Sequence, residues 1–172
     1  MLARLTLLLA VGATLGGCAM KEPPHAAPQP VAYTGTPQEQ WVQGQAAYLA
    51  WSAARPGWTT TPSGLQYHQV KAAKASAPRP PPGAVVTIHY VGRFIDGRVF
   101  DSSRERGEPA TFPLGRLIKG WQEGVPLMRV GEVWEFVIPA AIGYGDRDRA
   151  PIPPGSALLF EIELIAIPAD DG

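Results

Sequence analysis

The chain has 172 residues, 45% of them apolar, with 15 Lys and Arg against 15 Asp and Glu. That is enough for one packed domain and short for two large ones. The charge balance excludes a nucleic-acid binder of the basic kind, which rests on many cation–phosphate contacts. The single cysteine, Cys18, excludes an internal disulfide and a cysteine-cluster metal site. His25, His68 and His89 share no ligand spacing, and the phosphate-loop, esterase-elbow and zincin motifs are absent, so no metal and no cofactor are expected. Glycine and proline, 19 each, fall just short of the share that marks a wholly disordered chain. A folded domain joined to a compositionally biased segment is expected.

Residues 1–17 carry one early positive charge, Arg4, then an apolar run from Leu5 to Leu15 and small residues. The run is too short for a hydrocarbon core that needs about 20 residues and suits the apolar region of an export signal. Leu15-Gly16-Gly17-Cys18 resembles the lipobox of bacterial lipoproteins, in which the cysteine becomes the lipid-modified first residue. Cys18 is therefore the expected lipidation site. Ala19 follows it rather than an aspartate that would resemble an inner-membrane retention signal, which favours the outer membrane. Residues 18–36 hold Pro23, Pro24, Pro28 and Pro30 and few large apolar side chains, so they read as a disordered tether. Polyproline II at about 3.1 Å per residue would let such a spacer reach roughly 60 Å.

Thr36-Pro37-Gln38-Glu39 has the pattern of a helix start, with Thr36 as N-cap, Pro37 in the first turn and Glu39 closing a capping box. A helix is expected over 37–56, fading from about Ala54 as Arg55-Pro56-Gly57 stops it. Trp41, Tyr48 and Trp51 form one stripe, which either packs on the main domain or serves self-association or client contact. Beyond it the signals are those of strands. Val85–Phe94 is β-branched and aromatic and runs into the hairpin dipeptide Asp96-Gly97 before Val99-Phe100. Glu132–Ile138 and Leu158–Leu164 alternate, with Trp134, Phe136, Ile138 and Leu158, Phe160, Ile162, Leu164 on their apolar faces. Leu117–Met128 reads as one short helix. An α+β domain over 57–167, an antiparallel sheet wrapped around a short helix, is the economical architecture, with 168–172 as a tail.

Taken singly, Phe100, Phe112, Ile152, Phe160 and Trp121 read as core, Tyr144 as a capped core tyrosine and Asp101 as a turn residue. Taken in order, the segments Thr61–Tyr67 (TPSGLQY), Val86–Gly92 (VTIHYVG), Asp96–Ser103 (DGRVFDSS), Thr111–Gly115 (TFPLG), Ile118–Gly124 (IKGWQEG), Gly143–Gly145 (GYG) and Ile152–Pro154 (IPP) form a series. This series resembles the FKBP-type peptidyl-prolyl cis–trans isomerases, closest to the bacterial macrophage-infectivity-potentiator branch.

The resemblance implies an isomerase (rotamase) that rotates X–Pro bonds in a pocket floored by Trp121. It implies walls at Tyr90, Phe100, Phe112, Leu117, Ile118, Ile152 and Phe160, and polar members Asp101, the Tyr144 hydroxyl and the Ile118 backbone N–H. It makes Arg106 the arginine that helps hold the aspartate and the tyrosine, Asp101 and Tyr144, in place. Asp101 either faces the migrating carbonyl or orders the pocket through Tyr144 and Arg106. Expected partners are proline-containing unfolded or exported polypeptides and the membrane through Cys18, with a macrolide as a further ligand class that Ala110 disfavours by lowering one wall. The charged loop between Gly145 and Ile152 bears on client preference. Only one helix stands where the branch has a long dimerising arm, which disfavours dimerisation by that route. Three functions stay open from the residues: a lipid-anchored, periplasm-facing isomerase for exported proteins, a non-catalytic chaperone and peptide-binding module on the same fold, or a structural outer-membrane lipoprotein that merely inherited the fold.

Overall fold

A computed structural model describes residues 33–169. The expected export signal, the lipidation site Cys18 and most of the expected tether lie outside the described residues.

The first element, α1, spans Pro37–Ala53, and its start is fixed by the chemistry legible in the sequence. Thr36 Oγ1 accepts the Glu39 amide at 3.3 Å, and Glu39 Oε2 accepts the Thr36 amide at 2.7 Å. Such a cap contributes about 1 kcal/mol. Residues 34 and 35 fold back on the helix, with Gln43 Nε2 donating to the Thr34 carbonyl and Gln40 Nε2 to that of Gly35. The last residues of the expected tether are thus tied to α1.

Seven strands follow: β1 (Thr59–Thr60), β2 (Gln66–Lys71), β3 (Val85–Arg93), β4 (Val99–Ser102), β5 (Ala110–Pro113), β6 (Val133–Ile138) and β7 (Leu158–Ala166). They form one antiparallel sheet in the order β1-β2-β6-β7-β3-β4. β5 shares the free side of β3 with β4: β4 pairs with Val91–Arg93 and β5 with Val85–Ile88. Between β4 and β5 the chain leaves the sheet and carries Arg106 out and back.

The second helix, α2, covers only Lys119–Gly124, between 3₁₀ turns at Leu114–Arg116 and Val125–Leu127. The single helix expected over 117–128 is shorter because Pro126 offers no amide for an α-helical bond and sits at the start of the second turn. Gly120 lets α2 lie directly on the sheet, since a Cβ there would stand 2.6 Å from Ile138 Cγ2. Strand alternation sorts the two faces. Val86, Ile88, Phe136, Ile138, Leu158, Ile162 and Leu164 are buried with α2 on the concave side. Val137 and Leu159 point the other way and bury Tyr48 of α1, which is 1% exposed.

The aromatic stripe of α1 therefore packs on the domain. Trp41 Nε1 donates to the Pro154 carbonyl at 3.0 Å, and Gln45 Oε1 accepts the buried Ala157 amide at 2.9 Å. Ser52 Oγ donates to Gln66 Oε1, and Gln66 Nε2 donates to the Leu49 carbonyl at 2.9 Å. Burial pushes the Tyr48 phenol up to about 12.

Candidate functional site: an aromatic cup

The site lies on the concave side, where α2 meets β3, β4 and β7. Its floor is Trp121, whose side chain α2 turns inward and leaves 5% exposed. Tyr90 and Phe160 approach the indole nearly at right angles, with centroids 5.4 and 5.1 Å away, and Phe112 does so at 6.4 Å. This edge-to-face geometry suits the ring quadrupoles and fixes the rings beyond what area burial alone would do. The result is a hollow of about 730 Å³.

Backbone irregularity brings two adjacent residues to the same side. Opposite Gly92 and Arg93, β4 places Asp101 and Val99, so Phe100 is an extra residue in the ladder. A bulge of this kind bends a strand and re-aims its side chains, and both Phe100 and Asp101 line the hollow. Gly92 makes this possible: a Cβ there would stand 2.7 Å from the Phe100 ring and 2.9 Å from that of Phe160.

One polar network stands at the wall. Asp101 Oδ2 accepts the Tyr90 hydroxyl at 2.5 Å, and Asp101 Oδ1 accepts Arg106 Nη1 at 2.5 Å. Arg106 Nη2 donates to the Tyr90 hydroxyl oxygen at 2.9 Å, which closes the triangle. Burial presses the Asp101 carboxyl upward, but the bonds from Tyr90 and Arg106 and the guanidinium charge outweigh it. The carboxyl lies below its ordinary range. Burial, and the bond it donates to Asp101, push the Tyr90 phenol up.

Of the residues singled out from the sequence, the structure gathers Tyr90, Phe100, Asp101 and Phe112, then Leu117, Ile118 and Trp121, and finally Tyr144 and Phe160 around the hollow. Two stand apart from its lining. Ile152 is a buried member of the core, 6% exposed, and Arg106 sits outside as the partner of Asp101. Ala110 also packs against the core rather than the hollow. The tyrosine tied to Asp101 and Arg106 is Tyr90, not Tyr144. The Gly92–Asp101 register makes Tyr90, two residues from Gly92, a diagonal neighbour of Asp101. The Tyr144 hydroxyl meets no hydrogen-bond partner among the described residues, and neither does the Ile118 backbone N–H, so both stand ready for an external acceptor.

Sequence reasoning named neither Arg116 nor Lys119 as lining residues and marked Arg147 and Arg149 only as part of the charged loop that bears on client preference, yet all four line the hollow. Their signal was present in the cations at either end of Leu117-Ile118 and in the charged loop. Among the described residues no group of three or more His, Cys, Asp or Glu side chains is placed to hold a metal. The cup thus offers apolar faces, the unengaged Ile118 N–H and Tyr144 O–H, a rim of cations and no activated nucleophile.

A curved antiparallel sheet closed by one short helix over an aromatic cup defines the FKBP-like fold. The family model described as FKBP-type peptidyl-prolyl cis-trans isomerase matches residues 77–165, and the chain belongs to that family. It is 46% identical over 127 residues to the FKBP-type peptidyl-prolyl cis-trans isomerase FkpA of Aeromonas hydrophila, covering 73% of this chain and 47% of that protein. It is 41% identical over 122 residues to the Outer membrane protein MIP of Legionella longbeachae, covering 70% of this chain and 52% of that one. The chain spans about half the length of these curated relatives. A crystal structure of a peptidyl-prolyl cis-trans isomerase from Pseudomonas syringae superposes with a TM-score of 0.70 at 32% identity, covering 78% of this chain and 98% of that chain.

Proposed function

We propose that this chain is a peptidyl-prolyl cis–trans isomerase that speeds X–Pro rotation in exported polypeptides. In this reading it is held by a lipid on Cys18 at the periplasmic side of the outer membrane. The observation that carries the catalytic reading is the cup itself. Trp121, Tyr90 and Phe160 form an apolar seat in which the two rings pack edge-to-face with the indole, and the unengaged Tyr144 hydroxyl lines the same hollow.

An X–Pro bond resists rotation because resonance gives its C–N bond partial double-bond character, with a barrier of about 18–20 kcal/mol. No bond is made or broken, so neither a nucleophile nor a strong base is required. Rate is gained only by favouring the twisted state over the planar one, tenfold for each 1.36 kcal/mol or so. Water solvates the planar, charge-separated amide better than the twisted one. Withdrawing the amide into the rings of the cup removes that advantage. The Ile118 N–H and the Tyr144 O–H bind carbonyls flanking the bond and set the direction of twist. Asp101, its carboxylate already engaged by Tyr90 and Arg106, acts by holding the Tyr90 ring in place and not as a general acid.

The test follows cis–trans relaxation of an X–Pro peptide with the Cys18→Ser chain. Acceleration over background, reduced at least tenfold in Trp121→Ala, is expected. A folded chain that leaves the background rate unchanged would favour the peptide-binding reading over the enzyme.

The anchoring part of the proposal is supported by the lipobox-like Leu15–Cys18 segment and by the name Outer membrane protein MIP borne by a relative. Cys18→Ser is expected to move the protein from the membrane to the soluble fraction. Recovery of unchanged, processed, membrane-bound protein would refute it.

A further inference from the structure

The rim of the cup carries charge that rotation of an amide does not require. Arg116, ahead of α2, and Lys119, its first residue, bracket Leu117-Ile118, and Arg147 and Arg149 stand on the loop after Tyr144. All four are exposed and line the hollow. None of them takes part in an ion pair among the described residues, where Arg98, Arg104 and Arg106 have carboxylate partners of their own. The one carboxylate lining the hollow, Asp101, has both oxygens occupied and its charge matched by Arg106. Asp146 and Asp148 alternate with the two loop arginines but do not line the hollow. The Arg149 guanidinium lies 4.9 Å from the Tyr144 ring centroid, which holds one of these cations beside a hydroxyl free to anchor a peptide.

Four cations with no ion-pair partner line a concave, apolar-floored mouth that Asp146 and Asp148 do not line, and together they focus a positive potential into it. A ligand carrying negative charge is drawn to that potential. Arginine forks also match the planar geometry of a carboxylate. We infer that the cup selects prolyl peptides with an aspartate or glutamate side chain within a few residues of the proline. The inference rests on the cup being the prolyl-peptide site. It adds that the rim, and not the aromatic seat, chooses among peptides. A chain anchored at the Ile118 N–H passes between Arg116 and Lys119, and one anchored at Tyr144 runs beside Arg147 and Arg149. An acidic residue on either side of the proline therefore meets a cation.

The experiment compares, with the full chain, peptides that differ only in Glu, Gln or Lys beside the proline, reading kcat/KM for isomerisation. Exposed ion pairs are individually weak, so two of them favour Glu over Gln by about two- to thirtyfold at low ionic strength. The ratio shrinks toward one near 1 M salt, where the screening length falls to about 3 Å. The Lys peptide is the poorest of the three. In the paired variants Arg147→Gln/Arg149→Gln and Arg116→Gln/Lys119→Gln the Glu-to-Gln ratio drops, whatever the rate on the neutral peptide. A ratio near one at low salt, with clear turnover of both peptides, overturns the inference and leaves the isomerase reading intact. Should no peptide be turned over, the isomerase reading fails by itself, and calorimetric titration of the same peptides decides the rim. Tighter binding of the Glu peptide upholds it, and equal affinity for Glu and Gln overturns it.

Discussion

Trp121 is held by rings and not by hydrogen bonds. Its indole nitrogen is buried and meets no acceptor among the described residues. Trp121→Ala opens a cavity under Tyr90 and Phe160 and is expected to cost about 3–5 kcal/mol. Trp121→Phe loses ring area but removes a donor whose burial itself costs about 1–3 kcal/mol. Its net cost is expected below about 1.5 kcal/mol in urea unfolding, while peptide turnover falls because the floor is smaller. A phenylalanine variant as unstable as the alanine one would contradict this account. Asp101 makes a different prediction, one of pH. Its carboxyl titrates below the usual 3.8 in the folded chain, so the folded state takes up a proton less readily than the unfolded one. The resulting stability is present in full above the unfolded value and is lost as pH falls through the lower folded value. The stability gap between the parent and Asp101→Asn is expected to be constant from pH 7 to 5 and to narrow below about pH 4. Because the pair is part-exposed, the gap is about 1 kcal/mol or less. A gap that is unchanged at pH 3 would show that the charge on Asp101 is not what the network uses.

At the scale of elements, α1 matters to the site through the loop it supports. Pro154 and Ala157 lie between Tyr144 and β7, and both are bonded by α1 side chains. Gln45→Ala strands the buried Ala157 amide and is expected to cost about 1–3 kcal/mol. Hydrogen exchange should speed at Ala157, which a purely local helix effect would not produce. Such supports mark the limit of what the chain announces in advance. Thr36 and Glu39 specify the start of α1 because a capping box is a local bond pair. The alternation in β6 and β7 likewise names the faces, since strand periodicity is local. Two features depend on register between distant segments: the stripe of α1 facing Val137 and Leu159, and the choice of Tyr90 over Tyr144 as the partner of Asp101. The first residue pair of a hairpin can be read from Asp96-Gly97. The bulge that turns Phe100 and Asp101 to one side cannot, because it is a property of two strands together. The resemblance pointed to the cup residues where periodicity offered only core, yet Ile152 is a core residue and not part of the lining. Arg116, Arg147 and Arg149 belong to none of the quoted segments, and their convergence with Lys119 of Ile118–Gly124 appears only once α2 and the loop after Tyr144 are placed.

Across the described residues the arrangement has three layers, in which β6 and β7 serve both neighbours. Phe136, Ile138, Leu158 and Phe160 face α2 and the cup, whereas Val137 and Leu159 face α1. Strands shared in this way couple the two layers, because loosening one face disturbs the backbone that presents the other. Tyr48 tests the coupling, being fully buried at the α1 face and well away from the cup lining. Tyr48→Ala is expected to cost about 3 kcal/mol or more, a fall in Tm on the order of 10 °C for a domain of this size. Cooperativity across the layers requires one transition for the whole described region. Far-UV circular dichroism and tryptophan fluorescence should therefore melt together, since Trp41, Trp51 and Trp58 report on the α1 side and Trp121 and Trp134 on the core. If α1 were an independent appendage, the variant would melt in two steps, with a fluorescence change from the α1 side preceding loss of the sheet and turnover surviving the first step. A single displaced transition, with peptide turnover lost only within it, is the outcome that the shared strands demand.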